Sequence, residues 1–112
     1  MCIRDSFMME GVLDVLTSDS KEAKQLRSTF VFKLVPMLNP DGVINGNYRC
    51  GLAGVDLNRR YSSPSPLLHP TIHHLKALVT RLVATRGVLL YADLHGHSRK
   101  KNVFVYLSLI HI

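Results

Sequence analysis

An α/β layer architecture with at least part of a parallel sheet is what this sequence predicts, on three observations. Two segments carry apolar residues at three- and four-residue spacing, the mark of helices with one buried stripe. Two others, 30–36 and 88–94, are nearly continuous apolar runs rich in β-branched and aromatic residues, as in strands covered on both faces. These patterns alternate along the chain, and such alternation goes with helices layered on a sheet.

Met8, Met9, Val12, Leu13, Val15 and Leu16 share one stripe and predict a helix over about 7–18, ended by Thr17, Ser18, Asp19 and Ser20. Residues 21–27 are polar, with Ala23 and Leu26 three apart, which predicts a short exposed helix covering a sheet edge or face. The run 30–36, interrupted only by Lys33 and closed by Pro36, predicts a largely buried strand. From 37 to 65 the apolar period vanishes. Asn39-Pro40-Asp41-Gly42 predicts a simple turn, and Asn45-Gly46 and the glycines at 51 and 54 add further turn chemistry. A loop of this length is uncommon inside a domain, and its ordered-turn residues set it apart from a linker, so function is sought there first. Pro70 suits a first helical turn, and Ile72, Leu75, Leu78, Val79, Leu82 and Val83 form a stripe up to Gly87, a natural stop. Residues 88–94 then predict a central strand and 103–106 another. No internal repeat or low-complexity tract is present.

The 112 residues allow one domain at most. With 46% hydrophobic and 20% charged residues, the composition is that of an ordinary globular chain. Lys, Arg, Asp or His breaks every apolar stretch well short of the ~18–20 residues of a membrane span, so no membrane role is expected. Arg4 and Asp5 interrupt the place where an export signal needs its apolar stretch. Cys2 and Cys50 are read as reduced thiols, which points to the cytoplasm. The net charge of +6 implies attraction to nucleic acid, an anionic membrane surface or an acidic protein segment.

Two clusters carry possible chemistry. Ligands gather beyond the carboxyl ends of strands in open α/β sheets, and Asp93-Leu94-His95-Gly96-His97 lies at such an end. His95 is the candidate metal ligand, with Asp93 placed to orient it; the plainer reading is a hydrogen-bonded turn histidine. His95 and His97 together do not make a zinc site. In the long loop, Asn58 and Arg59 offer a carboxamide and a planar cationic fork that suit a carboxylate, or else are a turn asparagine and a solvated arginine. Arg49 is an oxyanion donor or a surface charge. His73 and His74 diverge by about 100° on a helix and cannot share a metal. No phosphate-cradling loop and no serine-nucleophile elbow occurs.

Together, 30–50, which includes Pro36-Met37-Leu38-Asn39-Pro40-Asp41-Gly42 and Asn47-Tyr48-Arg49-Cys50, then Asp56-Leu57-Asn58-Arg59, then Asp93-Leu94-His95-Gly96-His97-Ser98-Arg99-Lys100-Lys101, strongly resemble the cytosolic carboxypeptidases. These are zinc metallocarboxypeptidases, related to carboxypeptidase A, that remove glutamates from polyglutamate side chains or acidic C-termini of tubulin and other proteins. The resemblance covers 6–106 and implies a partial carboxypeptidase-like mixed sheet flanked by helices. By that resemblance His95 matches the third zinc ligand, Asn58 and Arg59 match the pair that binds the substrate's terminal carboxylate, and Arg49 matches the arginine that polarises the scissile carbonyl.

The family's first two zinc ligands lie in a His-Pro-Gly-Glu motif just before the segment matching 6–11, where this sequence has Met1-Cys2-Ile3-Arg4-Asp5. The family's general-base Glu belongs downstream of this chain. Residues 1–5 and 107–112 match nothing in the family and are read as foreign to it, resembling translated adapter sequence. The expectation is therefore an incomplete catalytic domain, inactive in isolation, whose parent takes polyglutamylated or acidic protein tails, tubulin among them, rather than nucleic acid or membrane. The alternative is a non-catalytic basic module binding nucleic acid or acidic proteins. Against nucleic acid, the chain has four Phe, four Tyr and no Trp, and Phe7, Phe30 and Phe32 fall in predicted core elements. A third reading is a chain that does not fold alone, its sheet edges left open.

Overall fold

The computed structural model describes residues 3–97 and 99–105. Its elements are α1 (Ile3–Thr17), α2 (Lys21–Thr29), α3 (Pro40–Asn45), a 3-10 turn at Leu57–Arg59 and α4 (Pro70–Thr85). Residues 1–2, Ser98 and 106–112 lie outside the description, and with them Cys2, the end of the strand expected at 103–106 and the expectation for the C-terminal tail.

Helix α1 starts earlier than its apolar stripe and ends where the polar run begins. The hydroxyls of Thr17 and Ser18 donate to the carbonyls of Leu13 and Val15 at 2.8 and 2.9 Å, satisfying acceptors of the last turn. Ser20 then caps α2, its Oγ accepting from the Ala23 amide at 3.1 Å. Arg27, in the last turn of α2, reaches back to the end of α1 and donates to the carbonyls of Leu16 and Ser18. A cationic fork thus sits at the negative pole of α1 and ties the two helices into a hairpin over the buried Ala23. The Lys24–Asp19 pair at 3.2 Å is exposed and adds little.

The residues Asn39-Pro40-Asp41-Gly42, expected to form only a turn, instead open α3. Asn39 Oδ1 accepts from the Gly42 amide at 3.1 Å, Pro40 occupies the first turn, and Gly46 closes the helix at φ 71°. The turn-forming residues are the caps of a six-residue helix. Gly42 is buried, and a Cβ there would lie 2.6 Å from the Cys50 carbonyl oxygen and in collision with Asn39 Nδ2. Gly42→Ala is expected to destabilise the fold by about 1–3 kcal/mol through overpacking, read as a lowered thermal midpoint of the whole protein. An unchanged midpoint would show that this packing yields freely.

Pro70 begins α4 as expected. Ahead of it, Ser65 folds the chain into the helix: its Oγ accepts from the Leu68 amide at 3.2 Å, and its own amide donates to Nδ1 of the buried His69 at 3.1 Å. At the other end Gly87, at φ 75°, donates its amide to the Leu82 carbonyl at 3.0 Å. Ile72 is fully buried, and Leu75 and Leu78 face Val35, Met37 and Leu38 across a groove of about 250 Å³. His73 and His74 line different grooves, in keeping with their divergence.

The expected sheet is not formed among the described residues. Segments 30–36, 88–94 and 103–105 pair with no neighbour, and the single ladder contact is an isolated antiparallel bridge between Cys50 and Asp56. Leu89 and Leu90, expected in a covered central strand, are 84% and 78% exposed. The physical reason is that a strand, unlike a helix, satisfies its backbone only on another strand. A continuous apolar run also needs cover on both faces, and here α4 meets only Val35 of segment 30–36, across the groove, while Leu89 and Leu90 stay exposed. The radius of gyration, 15.6 Å, exceeds the roughly 13 Å of a compact chain this long, which fits such an open arrangement.

Candidate metallocarboxypeptidase site

The long loop is ordered by a series of local bonds that end at the candidate residues. Asn39 uses both ends of its carboxamide, Oδ1 on the Gly42 amide and Nδ2 on the Cys50 carbonyl at 3.2 Å. This holds α3 against the segment carrying Arg49. The chain then turns at Gly51 and Gly54, with the Gly51 amide donating to the Val55 carbonyl at 3.2 Å and Gly54 at φ 69°. That reversal places Asp56 opposite Cys50. Asp56 Oδ1 accepts from the Asn58 amide at 2.9 Å and so starts the 3-10 turn of Leu57, Asn58 and Arg59. Leu57 is buried and packs beneath Gly51, anchoring that turn from below.

Arg49, Asn58 and Arg59 are thus gathered by one loop. The Arg49 guanidinium lies 3.8 Å from Asp56 Oδ2 and 5.6 Å above the Tyr48 ring. Among the described residues Arg59 has no carboxylate partner, its one contact being a 3.4 Å approach to the Asn58 carbonyl. Its planar fork is available to a ligand carboxylate.

In the second cluster His95 Nε2 stands 3.1 Å from Asp93 Oδ2. With Nε2–H donated to that carboxylate, the lone pair on Nδ1 is left for a metal, and the ring is held in one orientation. His97 does something else. Its Nδ1 accepts from the amides of Arg99 and Lys100 at 3.2 and 2.9 Å, its ring meets Phe104 edge-on at 5.3 Å, and Lys100 Nζ sits 4.9 Å from the Phe104 ring centre. His97 therefore shapes the basic turn that follows His95.

Tyr61 connects the clusters. Burial, the nearby Tyr91, a hydrogen bond with Tyr91 and the charge of Asp93 together hold its phenol above the usual tyrosine range. Tyr61, two residues after Arg59, is therefore near Tyr91 and Asp93 of the segment that carries His95. Asp56 and Tyr61 had no role in the sequence reading. The signal for Asp56 was present, since an Asp two residues before a turn Asn caps the turn through its side chain. No local signal pairs Tyr61 with Tyr91, which are distant in sequence.

A histidine held by a carboxylate in one cluster, with an asparagine and two arginines in the other, are residue types that metal-dependent hydrolysis at a peptide C-terminus can use. The sequence profile described as Zinc carboxypeptidase matches residues 6–106, and the chain belongs to that family. It is 59% identical over 102 residues to cytosolic carboxypeptidase 1 of Mus musculus, a match covering 90% of this chain and 8% of that relative. To cytosolic carboxypeptidase 2 of Xenopus tropicalis it is 59% identical over 101 residues, and to cytosolic carboxypeptidase 3 of Mus musculus 55% over 101, in each case 90% of this chain and 10% of the relative. The resemblance to the cytosolic carboxypeptidases is borne out, and the chain spans about a tenth of the length of these relatives. Among the described residues no helix is long and apolar enough to cross a membrane.

Proposed function

We propose that this chain is the part of a cytoplasmic zinc metallocarboxypeptidase domain that holds one metal ligand and the substrate-anchoring cations, in a protein that removes C-terminal or side-chain glutamates from acidic tails such as those of tubulin. The observation that carries the reading is the single loop presenting Arg49, Asn58 and Arg59, followed by Tyr61 near the segment of the Asp93–His95 pair.

The donor chemistry fits zinc at one position: an imidazole whose Nε2 meets the Asp93 carboxylate, which leaves Nδ1 as the nitrogen to offer a metal. Among the described residues no three metal-binding side chains converge; by the family resemblance the remaining ligands and the general base belong to other segments of the domain. Zinc, when bound, supplies Lewis-acid activation of water and of the scissile carbonyl. Asn58 and Arg59 grip the terminal carboxylate and set the register of the scissile bond. Arg49 faces the carbonyl oxygen as negative charge develops there. Segments 30–36, 88–94 and 103–106 become strands of a mixed sheet when neighbouring strands of residues beyond this chain pair with them. The isolated chain, with one ligand, does not retain zinc tightly enough to act.

The basic residues account for the acidic substrate. Arg49, Arg59, Arg60, Arg99, Lys100 and Lys101 all belong to the two clusters, and a cleft lined by one sign of charge draws in polyanionic tails. The test is glutamate release by the whole protein from peptides ending in glutamate runs, compared with peptides ending in neutral residues. Release should stop on chelation and fall with ionic strength, and R60A/K100A should flatten that salt dependence. Equal turnover of neutral ends, or no release at all, would overturn the proposal.

A further inference from the structure

The segment that leaves the 3-10 turn carries two serines that each precede a proline, Ser63-Pro64 and Ser65-Pro66, and their surroundings differ. Ser65 is committed to the entry of α4: its Oγ accepts from the Leu68 amide at 3.2 Å, and its amide donates to His69 Nδ1. Ser63 is exposed, in a stretch with neither helix nor strand, and among the described residues its hydroxyl has no hydrogen-bond partner. The proline after it disfavours helical backbone at Ser63, which suits the extended form in which a protein kinase takes a peptide.

Beside Ser63 lies a cationic groove. Ser62, Ser63 and Pro64 line a space of about 600 Å³ together with His73, Lys76 and Arg81 of α4. Lys76 Nζ donates to the Ser62 carbonyl at 2.7 Å, so an ammonium with two further N–H donors already stands against the residue next to Ser63. Among the described residues no carboxylate lines this groove. Residues 57–92 hold five Lys+Arg and no Asp or Glu, so α4 and the segment before it have no acid of their own to pair with these cations. A phosphate ester formed at the unengaged hydroxyl would supply the missing negative charge.

We propose that Ser63 is a phosphorylation site for a proline-directed protein kinase, and that His73, Lys76 and Arg81 hold the phosphate once it is formed. The γ-phosphoryl group of ATP passes to Ser63 Oγ: the new O–P bond forms as the bond to the β-phosphate oxygen breaks, ADP leaves, and the hydroxyl proton goes to the kinase's base. The product carries a charge of about −1.5 to −2 near neutral pH and strong acceptor oxygens. Lys76 can then hold the Ser62 carbonyl and a phosphate oxygen together, while Arg81 offers its planar fork from the next turn of α4. The segment running out of the Asn58–Arg59 turn is thereby clamped to α4. This goes beyond the carboxypeptidase reading and does not depend on it.

The experiment incubates the whole, dephosphorylated protein with ATP and a proline-directed Ser/Thr kinase and maps the phosphate by mass spectrometry. Modification is expected at Ser63, lost in S63A and kept in S65A. The phosphorylated protein is then treated with alkaline phosphatase. Release from Ser63 should be about fivefold slower than in K76Q/R81Q, whose replaced side chains are both exposed. That difference should vanish in about 1 M salt, where the Debye length falls to about 3 Å. Phosphate confined to Ser65, or absent from both serines, overturns the site. Equal release from the two proteins at low salt shows that the groove does not hold the phosphate and overturns the proposal as well. A difference that persists undiminished at high salt marks a folding defect of the variant rather than lost charge pairing, and counts against it equally.

Discussion

Replacing His95 with alanine in the whole protein is expected to abolish zinc retention and glutamate release together. A structural zinc site is worth about 10–16 kcal/mol near neutral pH, so His95 in its proposed role, as one of three protein ligands, would carry roughly 4 kcal/mol, or about a thousandfold in affinity. The ring is already oriented in the absence of metal, because Asp93 Oδ2 lies 3.1 Å from Nε2 and leaves Nδ1 to face outward from that bond. Asp93→Ala should therefore have a smaller effect of the same kind, about 10–100-fold, since it removes the orientation and keeps the ligand. The check is metal content after dialysis against a graded chelator, alongside peptide-end hydrolysis. If His95→Ala keeps its zinc and its rate, the residue is the hydrogen-bonded turn histidine that its local sequence equally allows.

The helices were legible because their signals are local. The stripes of α1 and α4, the polar stop at 17–20, Pro70 and Gly87 each act within a turn or two of chain. Helix α3 was missed for an instructive reason: Asn39, Pro40 and Gly46 are turn residues and cap residues alike, and only the Asn39–Gly42 bond tells which role is played. The strand patterns at 30–36 and 88–94 reflect burial in a sheet whose pairing is non-local, so the pattern can be present where the described residues supply no partner. Candidate residues were legible one at a time by resemblance. Their assembly was not, because it runs through Asp56 and Tyr61, whose partners a linear reading does not identify.

Arg49→Ala and Arg59→Ala should both cripple the enzyme, but in kinetically opposite ways. In its proposed role Arg59 grips a carboxylate that is charged before, during and after bond breaking, so its loss should weaken substrate and transition state alike and appear chiefly as a raised KM. Removing one partner of a charge-assisted pair costs about 2–5 kcal/mol, about 30- to several-thousand-fold. In its proposed role Arg49 meets a neutral carbonyl in the bound substrate and an oxyanion in the transition state, so its loss should appear in kcat with KM nearly unchanged. A single oxyanion donor is worth about 10²–10³ in kcat. Lysine at 49 should restore part of the rate, since a point charge still stabilises an oxyanion. Lysine at 59 should restore little, since it lacks the planar fork. If both alanine variants instead raise KM equally and spare kcat, the two arginines share the work of drawing in an acidic tail, and the oxyanion must be stabilised elsewhere in the domain.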